Sequence, residues 1–147
     1  TALYLAAAGG HTDPMVSLLD GGGNLDKRTT DGSTALITAA AFGGTDPVKA
    51  LLDKGAKVDV QDKEGRTALM RAADGGHTEI VKALLEKGAN VDILNKAGET
   101  ALMLASLRGR TDPVRDLLQK QATISLQSTD GLMALTAAAR GGHNDVV

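Results

Sequence analysis

The sequence has no cysteine and no tryptophan, and only one phenylalanine, one tyrosine and three prolines in 147 residues. Without cysteine there can be no disulfide, no thiolate metal ligand and no thiol nucleophile, which fits an intracellular, cytoplasmic setting. With so few aromatic rings, any core must be assembled from alanine and aliphatic contacts. No apolar run approaches the roughly 20 residues needed to cross a bilayer, so no membrane insertion is expected. Charge is balanced as well, with a net of −2 and a pI near 5.9. Nucleic-acid modules carry a basic field and a pI above about 9, so no nucleic-acid partner is expected.

What is present is a period. Thr67-Ala68-Leu69 has counterparts at Thr1-Ala2-Leu3, Thr34-Ala35-Leu36 and Thr100-Ala101-Leu102, with a worn copy at Met133-Ala134-Leu135. Each copy starts 33 residues after the previous one, with no insertion. A strict period of this length is the mark of stacked repeats, in which each unit buries its apolar face only against its neighbours. The chain then holds four full periods and the opening of a fifth, a single array over 1–147.

The unit from Asp62 to Gly88 shows the local chemistry most clearly. Asp62-Lys63-Glu64-Gly65 has the composition of a type I turn, with Asp first and Gly fourth. Thr67 can accept a hydrogen bond from an orphan N–H at a helix start. Ala68, Leu69, Ala72 and Ala73 then form a narrow stripe of helical period, whose small side chains let a neighbouring helix come close. Gly75 and Gly76 stop this helix. Thr78 is a candidate cap for a second helix, with Glu79 near its positive end. Ile80, Val81, Leu84 and Leu85 repeat the stripe with larger side chains, and Lys82 faces Glu86 as a weak solvent pair. Gly88 ends the second helix, and an extended finger leads into the next turn. The corresponding turns fall near 29–32, 62–65, 95–98 and 128–131.

These residues resemble the ankyrin repeat: a turn glycine, a Thr-Pro-Leu-His-like tetrapeptide, Ala-Ala, a Gly-His pair, an apolar outer helix and Gly-Ala. The turn glycine recurs at Gly32, Gly65, Gly98 and Gly131. The exit glycine recurs at Gly10, Gly43, Gly76, Gly109 and Gly142. The outer-helix leucine pair recurs at Leu18-Leu19, Leu51-Leu52, Leu84-Leu85 and Leu117-Leu118. The resemblance spans the chain and implies an all-α solenoid of helix-turn-helix units with extended turn fingers. Alanine replaces the usual proline in all five copies. Tyr4, Ile37, Met70, Met103 and Thr136 stand where the family has histidine, so apolar packing is expected at Ile37, Met70 and Met103 in place of that residue's capping bond. Gln121 stands where the helix-ending glycine should be, which predicts a strained or shortened helix end. Neither end carries a unit with a polar outer face, which suggests an excerpt of a longer array, uncapped at both ends.

Catalytic and metal chemistry find little support. His11, His77 and His143 share one slot, but successive ones are two units apart. At 8–10 Å per packed helix they lie roughly 20 Å apart, whereas Zn–N bonds are about 2 Å, so no metal is shared. A local role bridging neighbouring loops through backbone groups is expected for them. The glycine pairs lack the strand and the Lys-Ser/Thr that a phosphate loop needs. Asp74 and His77 have no second acid in the motif, so a catalytic role is not expected. No cofactor, metal or catalytic residue is assigned.

The resemblance implies that turn tips and the open side of each first helix bind a protein partner. Most residues in those slots are ordinary mixed-sign polar surface. Phe42, Leu94, Leu107 and Leu132 differ, because a group of exposed apolar side chains marks an interaction site. With Arg66 and Arg108 between them, and Lys63 and Glu99 beside them, they have the makeup of a binding hot spot. The expected function is a non-catalytic protein–protein interaction scaffold. The alternatives are a structural or assembly segment of a larger complex, or the targeting arm of an enzyme whose catalytic domain lies outside this chain.

Overall fold

A computed structural model describes residues 2–121 and residue 136. Eight helices and no strand occur among the described residues. Four are inner helices: α1 Ala2–Ala8, α3 Ala35–Phe42, α5 Ala68–Gly75 and α7 Ala101–Leu107. Four are outer helices: α2 Thr12–Asp20, α4 Thr45–Asp53, α6 Thr78–Glu86 and α8 Thr111–Gln121. Each inner helix packs on the outer helix that follows it. The inner helices touch one another in the order α1, α3, α5, α7, and the outer ones in the order α2, α4, α6, α8. The result is a two-layered row, an all-α solenoid. The Thr-Ala-Leu copies at Thr34, Thr67 and Thr100 therefore recur at the same place on successive inner helices.

The inner helices start where the threonines said they would. Thr34, Thr67 and Thr100 are extended, and their Oγ1 atoms accept from the N–H groups of Ile37, Met70 and Met103, each at 3.3 Å. That satisfies one of the orphan donors of a helix start. Gly43 and Gly76 end α3 and α5 in the left-handed conformation, φ 76° and 77°. Between these points the helices are sealed. Ile37, Met70 and Met103 are all buried, as are the alanine pairs Ala39-Ala40 and Ala72-Ala73. From the outer layer Leu51 and Leu84 enter the same core. Burying one such leucine is worth about 1.5–3 kcal/mol, so this shared seam holds the row together.

Three expectations are corrected. Thr78 is the first residue of α6 and not its cap; His77 holds the cap position and makes no side-chain capping bond. The opening turn closes instead through His77 O, which accepts from Ile80 and Val81. Gln121 does not shorten its helix: α8 has 11 residues where α4 and α6 have 9. The sister helices are followed by Gly55 and Gly88 at φ 85° and 83°. Glutamine cannot enter that left-handed region cheaply, so the chain stays right-handed and the helix runs on. Lys82 pairs with Glu79 at 3.3 Å rather than with Glu86.

Candidate interaction surface

The fingers are built from the turn upward. The N–H groups of Gly32, Gly65 and Gly98 donate to Thr29, Asp62 and Asn95 O at 2.9, 3.0 and 3.0 Å, closing the three turns. Asp62 Oδ1 also accepts from Glu64 and Arg66 N–H at 2.9 Å each, and Asn95 Oδ1 does the same for Ala97 and Glu99. Neighbouring fingers are tied by the backbone: Lys63 N–H donates to Asp31 O at 2.9 Å and Lys96 N–H to Glu64 O at 3.0 Å.

Side chains run a second ladder beside the first. Arg28 donates to Gly32 O at 3.0 Å in its own finger and to Gln61 O in the next. Gln61 donates to Gly65 O at 2.7 Å and to Leu94 O at 3.0 Å. Leu94 occupies the same slot and has nothing to donate, so its side chain is left half in solvent. In the second unit, whose turn is 29–32, the Thr29 and Ser33 hydroxyls donate to the Asp31 carboxylate. Those bonds favour the charged form and hold this carboxyl below the usual carboxylate range, the Thr29 bond most strongly.

The structure distributes the sequence-selected residues over two edges of one face. Lys63 is exposed at a finger tip, and Arg66 sits at the root of the same finger with Nε 3.4 Å from Glu64. Glu99, half-buried, accepts from Asn95 Nδ2 at 2.9 Å in the next finger. Phe42 and Leu107 lie at the opposite, exit ends of their inner helices, and Phe42 is 67% exposed. Arg108 follows Leu107 and reaches Asp74 Oδ1 at 3.0 Å. Phe42 and Leu107 are therefore not adjacent: α5 lies between them, presenting Asp74 and Gly75. Arg66 is not between them either, being at the start of α5 and about 12 Å along its axis from that rim. Leu132 lies outside the described residues.

Two positively charged residues were not singled out from the sequence. Arg71, on the open side of α5, places Nη2 2.6 Å from Asp62 Oδ2 and 3.3 Å from Glu64 Oε2. The Asp62 side chain is only 2% exposed. The signal was the slot, since Leu5, Thr38 and Leu104 occupy it elsewhere and Arg71 alone is charged. Arg110 is the second; its Nε donates to Asp74 O at 3.4 Å. His77, in the same slot one unit earlier, lies across Gly43 and Gly75. A Cβ on either glycine would fall 2.8 Å or less from its ring. Its ring thus packs between neighbouring exit turns, and the expected side-chain bond to their backbone does not form among the described residues.

No group of three or more metal-binding side chains occurs among the described residues, and no described helix is long and apolar enough to cross a membrane. Comparison with curated protein sequences returned no match. The family model for ankyrin repeats, counted as three copies, matches residues 1–62 and 48–130. That match covers most of the chain and agrees with the helix pairs, the finger turns and the stacking order: the chain belongs to the ankyrin repeat family.

Proposed function

We propose that the chain is one continuous interaction array, a non-catalytic scaffold that holds a protein partner against its fingers and the open side of its inner helices. Ankyrin repeats are generally protein–protein interaction modules. The observation that supports this face is the exposure of Phe42, Leu94 and Leu107, at 67%, 50% and 36%, joined by Leu5 of α1 at 68%; on the outer helices Leu18 and Leu118 are exposed at 39% and 36%. Arg108 lies beside Leu107 on the exit rim, Lys63, Arg66 and Glu99 lie with Leu94 on the finger edge, and Leu132 continues the set by its repeat position. Lack of cysteine agrees with a reducing, intracellular setting.

The test is Phe42→Ala combined with Leu107→Ala, at positions 67% and 36% exposed. Loss of two central contacts should lower partner affinity by about tenfold or more. Undiminished capture of the native partner, with an unchanged circular dichroism spectrum, would remove this face from consideration.

A further inference from the structure

We propose that the exit rim of the inner helices is an oriented ledge for a protein segment carrying a large apolar side chain at one end and carboxylates at the other. This deepens the reading of the open face as the binding surface and rests on it. At the end of α3, Ala41 and Phe42 are both exposed, and the His77 ring lies against the following Gly43. One unit on, the Phe42 slot holds Gly75 and offers no side chain. Two units on, it holds Arg108, with Arg110 close behind.

Both arginines turn to one acid. Arg108 Nε donates to Asp74 Oδ1 at 3.0 Å and Arg110 Nε to Asp74 O at 3.4 Å. Asp74 thus holds Arg108 through its carboxylate and Arg110 through its main-chain carbonyl, and the Nη nitrogens of both arginines make no hydrogen bond among the described residues. The rim is locally positive on a chain of net charge −2. Guanidinium forks match carboxylates in a two-point fashion that lysine cannot reproduce. The apolar end and the cationic end are two packed helices apart, roughly 20 Å. An extended segment covers that distance in about six residues at roughly 3.3 Å each. The occupant is therefore an acidic protein segment with an aromatic or large aliphatic residue about six positions from its carboxylates. A nucleic acid is disfavoured, because its many phosphates would meet a chain of net charge −2, whereas a segment with one or two acids needs only the Arg108 and Arg110 guanidiniums.

A phage-displayed library of random peptides of about twelve residues, long enough to span the rim when extended, is selected against the full chain. Selected peptides are then measured by fluorescence anisotropy. Peptides pairing an apolar residue with Asp or Glu are expected to bind. They should weaken by about tenfold with Phe42→Ala, with Arg108→Gln/Arg110→Gln, and with added salt. Replacing the peptide's acids by lysine should abolish binding to the unaltered protein, a readout that needs no variant. Peptides that need Phe42 but carry no acids and ignore the arginine substitutions would overturn the proposal while leaving the open face as the binding surface. Peptides indifferent to every variant, or no selected peptide at all, would overturn both. A short single-stranded oligonucleotide that binds more tightly than the selected peptides would also overturn it.

Discussion

The fingers of the third and fourth units, with turns at 62–65 and 95–98, have the same backbone and different chemistry. Both close on a turn whose first side chain accepts two backbone N–H groups, Asp62 in one and Asn95 in the other. Asp62 is charged and almost wholly buried, and Arg71 on α5 answers it at 2.6 Å. Asn95 is neutral, and the matching residue of α7 is the buried Leu104. Turn acid and helix arginine occur together; turn amide and helix leucine occur together. A buried carboxylate is costly unless paired, whereas a neutral amide needs no counter-charge and leaves the helix position to an apolar side chain. The two units thus solve one bonding problem with two pairs that should not mix.

Mixing them is the largest predicted effect. Arg71→Leu alone leaves the Asp62 carboxylate buried without its cation and should destabilise the fold by about 2–3 kcal/mol, reduced from the value for a fully buried pair because Arg71 is partly exposed. Asp62→Asn together with Arg71→Leu converts the third unit to the pattern of the fourth and should recover most of that loss. Urea unfolding of the wild type and the two variants measures both. A double variant no more stable than Arg71→Leu would show that the two residues are not coupled.

A smaller effect tests what the two fingers share. Thr67→Ala and Thr100→Ala each remove the oxygen that accepts the third N–H of an inner helix. Each should cost about 1 kcal/mol, and the two costs should agree because the capping geometry is the same. Thermal melting of the single variants gives the comparison. A cost at Thr67 more than twice that at Thr100 would mean that the Asp62–Arg71 pair reaches into the cap.

These contrasts also show what a linear reading could find. Caps, turn glycines and the leucine seam depend on spacings within one unit, and a 33-residue period displays them directly. The Asp62–Arg71 pair spans a turn and a helix within the unit, at no helical or strand spacing, so no local pattern pointed to it. Leu94 was visible as an apolar residue in a polar slot. What was hidden is that Arg28 and Gln61 use that slot to reach the next finger. Phe42 and Leu107 were grouped because both end an inner helix, but a shared helix end says nothing of separation, and α5 stands between them. Gln121 was read as a flaw because a helix-ending glycine was missing, when its absence simply lets the helix continue.

The second finger extends the comparison at the smallest scale. Its turn opens with Thr29, and the acid has moved to Asp31, where the Thr29 and Ser33 hydroxyls donate to it in solvent. Those bonds lower its folded pKa below the unfolded value. A lowered folded pKa contributes stability above the unfolded value of about 3.9, and that contribution is lost as pH falls through the folded pKa. Asp31→Asn should therefore lower the melting temperature slightly at neutral pH, by less than Thr67→Ala does. The difference from wild type should close as the buffer is taken from pH 7 down through the lowered folded pKa of Asp31, below which both side chains are uncharged. Every other acid is common to both proteins, so the closing curve belongs to the second finger. A difference that stays constant down to the acid limit would mean that the Asp31 bonds are equally strong to the protonated acid and that its charge contributes nothing to the turn.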